Sequence, residues 1–231
     1  IKNIKKNRQD IDDLYLLLDL VGGISKSDLY SLKLNSSEKV NLKEDLNSID
    51  RKWSEHINIS KPIQYICGSS YWRNFKFEIT TDVLIPRVET ELIVDIACDI
   101  IGEKEKKVIF ADLGTGSGSI AISLAFENKK WKGLATDIDK NALHVAKRNH
   151  HKIALESNIN FYCGSWWKPL INYAGMINLA ISNPPYIPQN VYENLPSSVK
   201  NFEPRIALNG GEDGLSHIKQ IISDAPKFLL E

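Results

Sequence analysis

The stretch Val108-Ile109-Phe110-Ala111-Asp112-Leu113-Gly114-Thr115-Gly116-Ser117-Gly118-Ser119-Ile120-Ala121-Ile122-Ser123-Leu124-Ala125 decides the fold. Residues 108–113 read as a buried strand and 119–127 as a helix, with three glycines in the five residues between them. Strand, glycine-rich turn and helix N-terminus make a cradle for an adenosine-bearing ligand. Glycine permits positive φ and close approach to the backbone, and the first helical N–H groups point into the site. Outward from the cradle the alternation continues. Residues 133–137, 159–163 and 177–182 read as strands, and 141–151 and 215–230 as helices. Upstream, Leu92, Ile93, Ile96, Ala97 and Ile100 repeat at helical spacing from a start near Glu89, separated from the first strand by a charged turn at 102–107. Strands alternating with helices predict an α/β fold, a parallel sheet covered on both faces.

The first 60 residues carry no strand signal. Ile11, Leu14, Tyr15 and Leu18 fall on one helical face that Gly22-Gly23 stops, and Leu42, Leu46, Ile49 and Trp53 fall on another that ends at Ser60-Lys61-Pro62. From Tyr71 the period becomes two: Phe75, Phe77 and Ile79 alternate with polar residues after a turn at Arg73-Asn74, the pattern of a β-hairpin. The expected organisation is a helical domain at 1–68, a hairpin linker at 69–86 and an α/β domain at 87–231. Lys+Arg and Asp+Glu are 29 each among 231 residues, so no basic excess points to nucleic-acid binding. Three scattered cysteines, Cys67, Cys98 and Cys163, read as reduced thiols without a zinc pattern. No apolar run approaches the roughly 18 residues of a membrane helix, and the basic start at 1–6 lacks the apolar stretch of a signal peptide. The compartment reading is cytoplasm, and the missing initiator Met reads as a start inside a longer product.

A dinucleotide site asks for G-x-G-x-x-G; here the spacing is G-x-G-x-G, and Ser119 follows. No phosphate is then required, and the turn suits S-adenosylmethionine. Asp112 adds a negative group fitted to that cation, and Asp137 can accept from two ribose hydroxyls. At the end of the fourth strand stands Asn183-Pro184-Pro185-Tyr186. A planar NH₂ group, on an amide or on adenine, is a poor nucleophile because its lone pair is delocalised. The Asn183 side-chain oxygen and the Pro184 carbonyl can each accept one of its N–H bonds. Two prolines stiffen the turn, and the Tyr186 ring can cover a flat substrate. Orientation of this kind is worth about 7–11 kcal/mol in favourable systems. No metal is called for, and His144, His150 and His151 lack partners at ligand spacing.

Together these residues resemble an S-adenosylmethionine-dependent, Rossmann-like methyltransferase acting on amino groups. More closely, the chain resembles the peptide-chain release factor glutamine methyltransferases (PrmC/HemK family). The resemblance rests on Lys61-Pro62-Ile63-Gln64-Tyr65-Ile66-Cys67-Gly68, on Leu84-Ile85-Pro86-Arg87-Val88-Glu89-Thr90-Glu91, on the turn at 112–118, on Asn183-Pro184-Pro185-Tyr186, and on Glu203-Pro204 followed by Gly210-Gly211 and Asp213-Gly214-Leu215. Val88 stands where the family pattern has proline, and Ser165 where it has Asp. The resemblance implies N5-methylation of the glutamine in the Gly-Gly-Gln loop of bacterial release factors, with the helical domain docking the factor. It implies cofactor contacts at Gly114, Thr115, Gly116, Ser117, Gly118, Asp137, Trp166 and Asn183, and amide contacts at Asn183, Pro184, Pro185 and Tyr186. It also implies three further strands beyond Glu231, so the chain reads as C-terminally truncated and its fourth strand as an exposed edge. Arg87 and Glu89 read either as a helix-start pair or as neighbours of the site. The rival readings are an adenine-N6 methyltransferase of DNA or RNA, and an inactive cofactor- or partner-binding module. An NAD-dependent enzyme fits worst.

Overall fold

A computed structural model describes residues 8–35, 39–102 and 107–230. The N-terminal run at 1–6 and most of the charged turn expected at 102–107 lie outside the described residues. The chain divides into two compact units, Ile1–Ser69 and Ser70–Glu231.

In the first unit α1 (Arg8–Leu17) passes into a π turn, Leu18–Gly22, which Gly23 ends at φ +70°. Helix α2 (Lys26–Leu34) opens with a capping box: Ser25 Oγ accepts from the Asp28 N–H, and the Ser25 N–H donates to Asp28 Oδ2. Asp45 caps α3 (Leu46–Ile59), which stops at Ser60 in the left-handed region just before Lys61-Pro62, and α4 (Ile63–Cys67) follows. Leu17, Val21, Ile49 and Ile63 form the core. The expected apolar faces are therefore shifted. Leu17, four residues before Val21 across the start of the π turn, is buried in place of the exposed Ile11. Leu46 is exposed as the first residue of its helix.

In the second unit β1 (Ser69–Trp72) and β2 (Phe75–Glu78) pair around Arg73-Asn74. The hairpin is fastened by ion pairs from Arg73 to Asp95 and Glu127, and from Glu78 to Arg148 and Lys152. A 3₁₀ turn, Val88–Thr90, precedes α5 (Glu91–Ile101). The alternating series follows: β3 (Ile109–Leu113), α6 (Ser119–Glu127), β4 (Lys132–Asp137), α7 (Lys140–Ile153), β5 (Asn158–Cys163), a 3₁₀ segment Lys168–Tyr173 and β6 (Leu179–Ile181). Short helices α8 (Gln189–Tyr192) and α9 (Ser197–Lys200) and a 3₁₀ turn, Arg205–Ala207, lead to α10 (Ser216–Phe228).

The four strands β3 to β6 form a parallel sheet in the order β5-β4-β3-β6, with Ala111 opposite Leu134 on one side and Ala180 on the other. Strand order reverses beside β3, and the crevice at such a reversal is where open α/β sheets take ligands. Ala111, Leu113 and Leu134 pack with Trp167, Leu170, Ile177 and Phe228 on one face. Trp167 stacks on Phe228 at 4.8 Å within this core.

The C-terminal end differs from the sequence reading. The closing helix stops at Phe228: Leu229 turns extended, forms a parallel bridge with Ile177, and the Leu230 N–H donates to the Ile177 carbonyl at 2.9 Å. An apolar pair at a helix end suits strand and helix equally, so periodicity could not locate this break. The outer side of the β6 segment is accordingly met at Ile177 by that bridge. Among the described residues no helix is long and apolar enough to cross a membrane.

Candidate active site

The glycine turn leaves β3 and is pinned by its neighbours. The Thr136 carbonyl accepts from the N–H groups of both Gly114 and Thr115 at 2.9 Å. Gly118 caps α6 at φ +83°, and a Cβ there would stand 2.8 Å from Ile122 Cδ1 and 3.2 Å from Ala146 Cβ. Glycine is thus required for both the backbone angle and the contact with α7. Asn149, fully buried on α7, donates to the Ser117 carbonyl at 2.9 Å and exchanges two hydrogen bonds with the Glu78 backbone. The hairpin and the turn share this one side chain.

Asp112 is 0% exposed; its Oδ2 accepts from Thr115 Oγ1 at 2.6 Å and the Ala121 N–H at 3.2 Å, and Oδ1 has no hydrogen-bond partner among the described residues. One residue inside the strand end, its carboxyl faces the base of the turn and the start of α6, where it acts as a peg. Burial pushes its pKa up to about 6. Asp137, at the end of β4, does line the cleft. Its Oδ2 accepts from the Gly116 N–H at 2.9 Å and Oδ1 from the Asp139 N–H at 3.0 Å, and burial raises its pKa. A carboxylate offers about four lone-pair directions, so two remain for ligand hydroxyls.

Beyond β6, Ser182 Oγ donates to the Leu113 carbonyl at 2.6 Å and ties the strand end to the start of the glycine turn. Asn183 and Pro185 then line the same cleft as 114–117. Pro184 is half-buried and Tyr186 is 60% exposed; neither lines the cleft. The backbone behind them is propped from far along the chain. The Ile187 N–H donates to Leu208, and Gly210 to Ile187. A Cβ on Gly210 would lie 2.8 Å from Tyr186 Cα, and one on Gly214, at φ +78°, would strike the Tyr186 carbonyl oxygen.

Residues 82–90 form another wall. Arg87 joins its guanidinium to both oxygens of the buried Glu203 at 2.7 and 2.8 Å, so it is not half of a helix-start pair with the exposed Glu89. Thr90 Oγ1 accepts from Asn183 Nδ2 at 3.3 Å. Trp166 lines the cleft opposite, with its indole against Gly114 and 5.4 Å from the His217 ring. Thr90, Asn149, His217 and Gln220 are the contributors that sequence reasoning missed. Thr90 lay inside a quoted motif without a role, and nothing in the spacing of α7 or α10 marks the others. The charged lining residues are Asp82, Asp137 and Asp139 against Arg87 alone, whose charge Glu203 already meets.

Fold and cleft are those of a Rossmann-like methyltransferase. The family model described as methyltransferase small domain matches residues 76–197. The chain is 37% identical over 218 residues to a release factor glutamine methyltransferase of Prochlorococcus marinus, covering 94% of this chain and 74% of the relative. It is likewise 37% identical to the Synechocystis protein of that name, covering 91% and 72%. Among solved structures, the hMettl16 catalytic domain in complex with the MAT2A 3'UTR hairpin 1 superposes with a TM-score of 0.55 at 19% identity, over 94% of this chain and 75% of that one. That likeness is one of fold. By its sequence relatives, the chain belongs to the release factor glutamine methyltransferase family.

Proposed function

We propose that this protein transfers a methyl group from S-adenosylmethionine to the side-chain amide nitrogen of the glutamine in the Gly-Gly-Gln motif of peptide chain release factors. The observation that carries the reading is the meeting, in one cleft, of Asn183 with the glycine turn and Asp137. The names of the relatives support the same substrate.

The residues present fit the cofactor. Three lining carboxylates and no unpaired cation among the charged lining residues would repel a pyrophosphate and favour a ligand carrying positive charge. Asp137, with two acceptor directions left, would hold the ribose hydroxyls. Trp166 would flank the adenine, and the turn at 114–118 would hold the amino-acid tail. When bound, S-adenosylmethionine supplies an electrophilic methyl carbon: a carbon–nitrogen bond forms, the carbon–sulfur pair leaves with sulfur as a neutral thioether, and the amide proton passes to water. Asn183 Oδ1 and the Pro184 carbonyl would accept the two amide N–H bonds and hold the nitrogen towards the cleft. Catalysis of this kind is mostly orientation, with residues from 82–90 and 206–207 walling the cleft. The helical unit Ile1–Ser69 would dock the factor, and the reaction belongs to the cytoplasm, where translation ends.

The test is transfer of labelled methyl from S-adenosylmethionine to a purified bacterial release factor, its Gln→Ala loop variant and adenine-containing DNA, in parallel. Label on the wild-type factor alone is expected. Label on DNA would replace this reading with the adenine-N6 reaction.

A further inference from the structure

Thr90 ends the 3₁₀ turn that runs into α5 with helical φ and ψ, and its side chain makes no capping hydrogen bond to that helix. Its Oγ1 accepts instead from Asn183 Nδ2 at 3.3 Å, and both residues line the cleft. An asparagine amide is a two-ended plane; with its NH₂ end turned to the Thr90 oxygen, Oδ1 is left to receive an incoming N–H. The opposite orientation would present NH₂ to the substrate NH₂, donor against donor.

The Thr90 backbone is itself held in place. The Arg87 carbonyl accepts from the Thr90 N–H at 3.0 Å and from the indole Nε1–H of the buried Trp72 at 2.9 Å. The Arg87 side chain is bound to Glu203. We infer that Thr90 is a positioning residue for methyl transfer, setting the amide of Asn183 so that Oδ1 faces the substrate nitrogen. The inference rests on the function proposed above.

Thr90→Val keeps the shape and removes the acceptor; Thr90→Ser keeps the acceptor. With a release factor as acceptor, Thr90→Val should lower kcat roughly tenfold. KM for S-adenosylmethionine and the melting temperature should stay near wild type, and Thr90→Ser should restore kcat. Unchanged kcat in Thr90→Val would overturn the inference. So would equal losses of kcat, cofactor binding and stability that serine does not rescue. If the wild-type chain labels no factor, the functional reading fails instead, and a second measurement still decides Thr90. In asparagine-¹⁵N-labelled protein, the side-chain NH₂ resonance of Asn183, assigned through Asn183→Ala, should shift in Thr90→Val and return in Thr90→Ser. An unmoved resonance would overturn it regardless of activity.

Discussion

The two loops that meet in the cleft are built in opposite ways. The glycine turn at 114–118 is held by buried groups on adjoining elements: Asp112 beneath it, Asp137 and Thr136 on the next strand, Asn149 on α7. The Asn183-Pro184-Pro185-Tyr186 loop is tied to the strand next to it by Ser182. Its other supports, Thr90 and the glycines at 210 and 214, come from the start of α5 and from the segment after α9. A binding surface can be made locally by one strand–turn–helix unit. A group that must be aimed at a reacting atom needs struts from several directions, because small misplacements are costly there.

The difference predicts which changes should separate transfer from cofactor binding. Asn183→Ala removes the amide acceptor and should lower kcat by about 10²–10³-fold, the range seen on losing one hydrogen-bonding group aimed at a reacting centre. Gly214→Ala substitutes no residue that lines the cleft, yet drives a Cβ against the Tyr186 carbonyl in a left-handed backbone. It should cost roughly 10²-fold in kcat while calorimetric affinity for S-adenosylmethionine holds. An equal loss of affinity would show the two loops to be one mechanical unit. Asp137→Ala should act the other way, weakening cofactor affinity by roughly 10–100-fold through lost charge-assisted hydrogen bonds, with a smaller effect on kcat at saturation.

The smallest effect concerns Asp112 and is a matter of pH. Its pKa of about 6 in the fold lies above the ordinary carboxyl value, so the neutral form is the one the fold favours. The stability this group contributes is full below about pH 4 and is lost as pH rises through about 6, where a buried carboxylate is left as a standing cost. Asp112→Asn is neutral throughout and keeps an oxygen for Thr115. In urea unfolding it should gain on the wild type between pH 4 and pH 8 by at most roughly 3 kcal/mol. A constant difference across that range would remove Asp112 from the account.

The same contrast explains how much could be read in advance. The parallel α/β alternation was legible because each element carries its own period. That the glycine turn, Asp137 and Asn183 share one cleft is legible because their pattern is written in adjacent residues at strand ends. The surroundings of Asp112 are not legible, because its residue type shows a charge but not that the strand's pleat turns it to Thr115 and Ala121. Thr90, Asn149 and Glu203 could not be found from spacing, since each acquires its role only when a distant segment arrives: Asn183, Ser117 and Arg87 respectively. The break after Phe228 escaped for a related reason, because Leu229 is extended by its pairing with Ile177.

The reaction proposed for this cleft is methyl transfer to a glutamine side-chain nitrogen. Its most direct test is residue-level mapping by tandem mass spectrometry of a release factor incubated with this protein and S-adenosylmethionine. A single methyl on the side-chain amide of the Gly-Gly-Gln glutamine, absent when Asn183→Ala replaces the wild type, is the predicted result. A methyl on another residue, or one that survives the loss of Asn183, would contradict it.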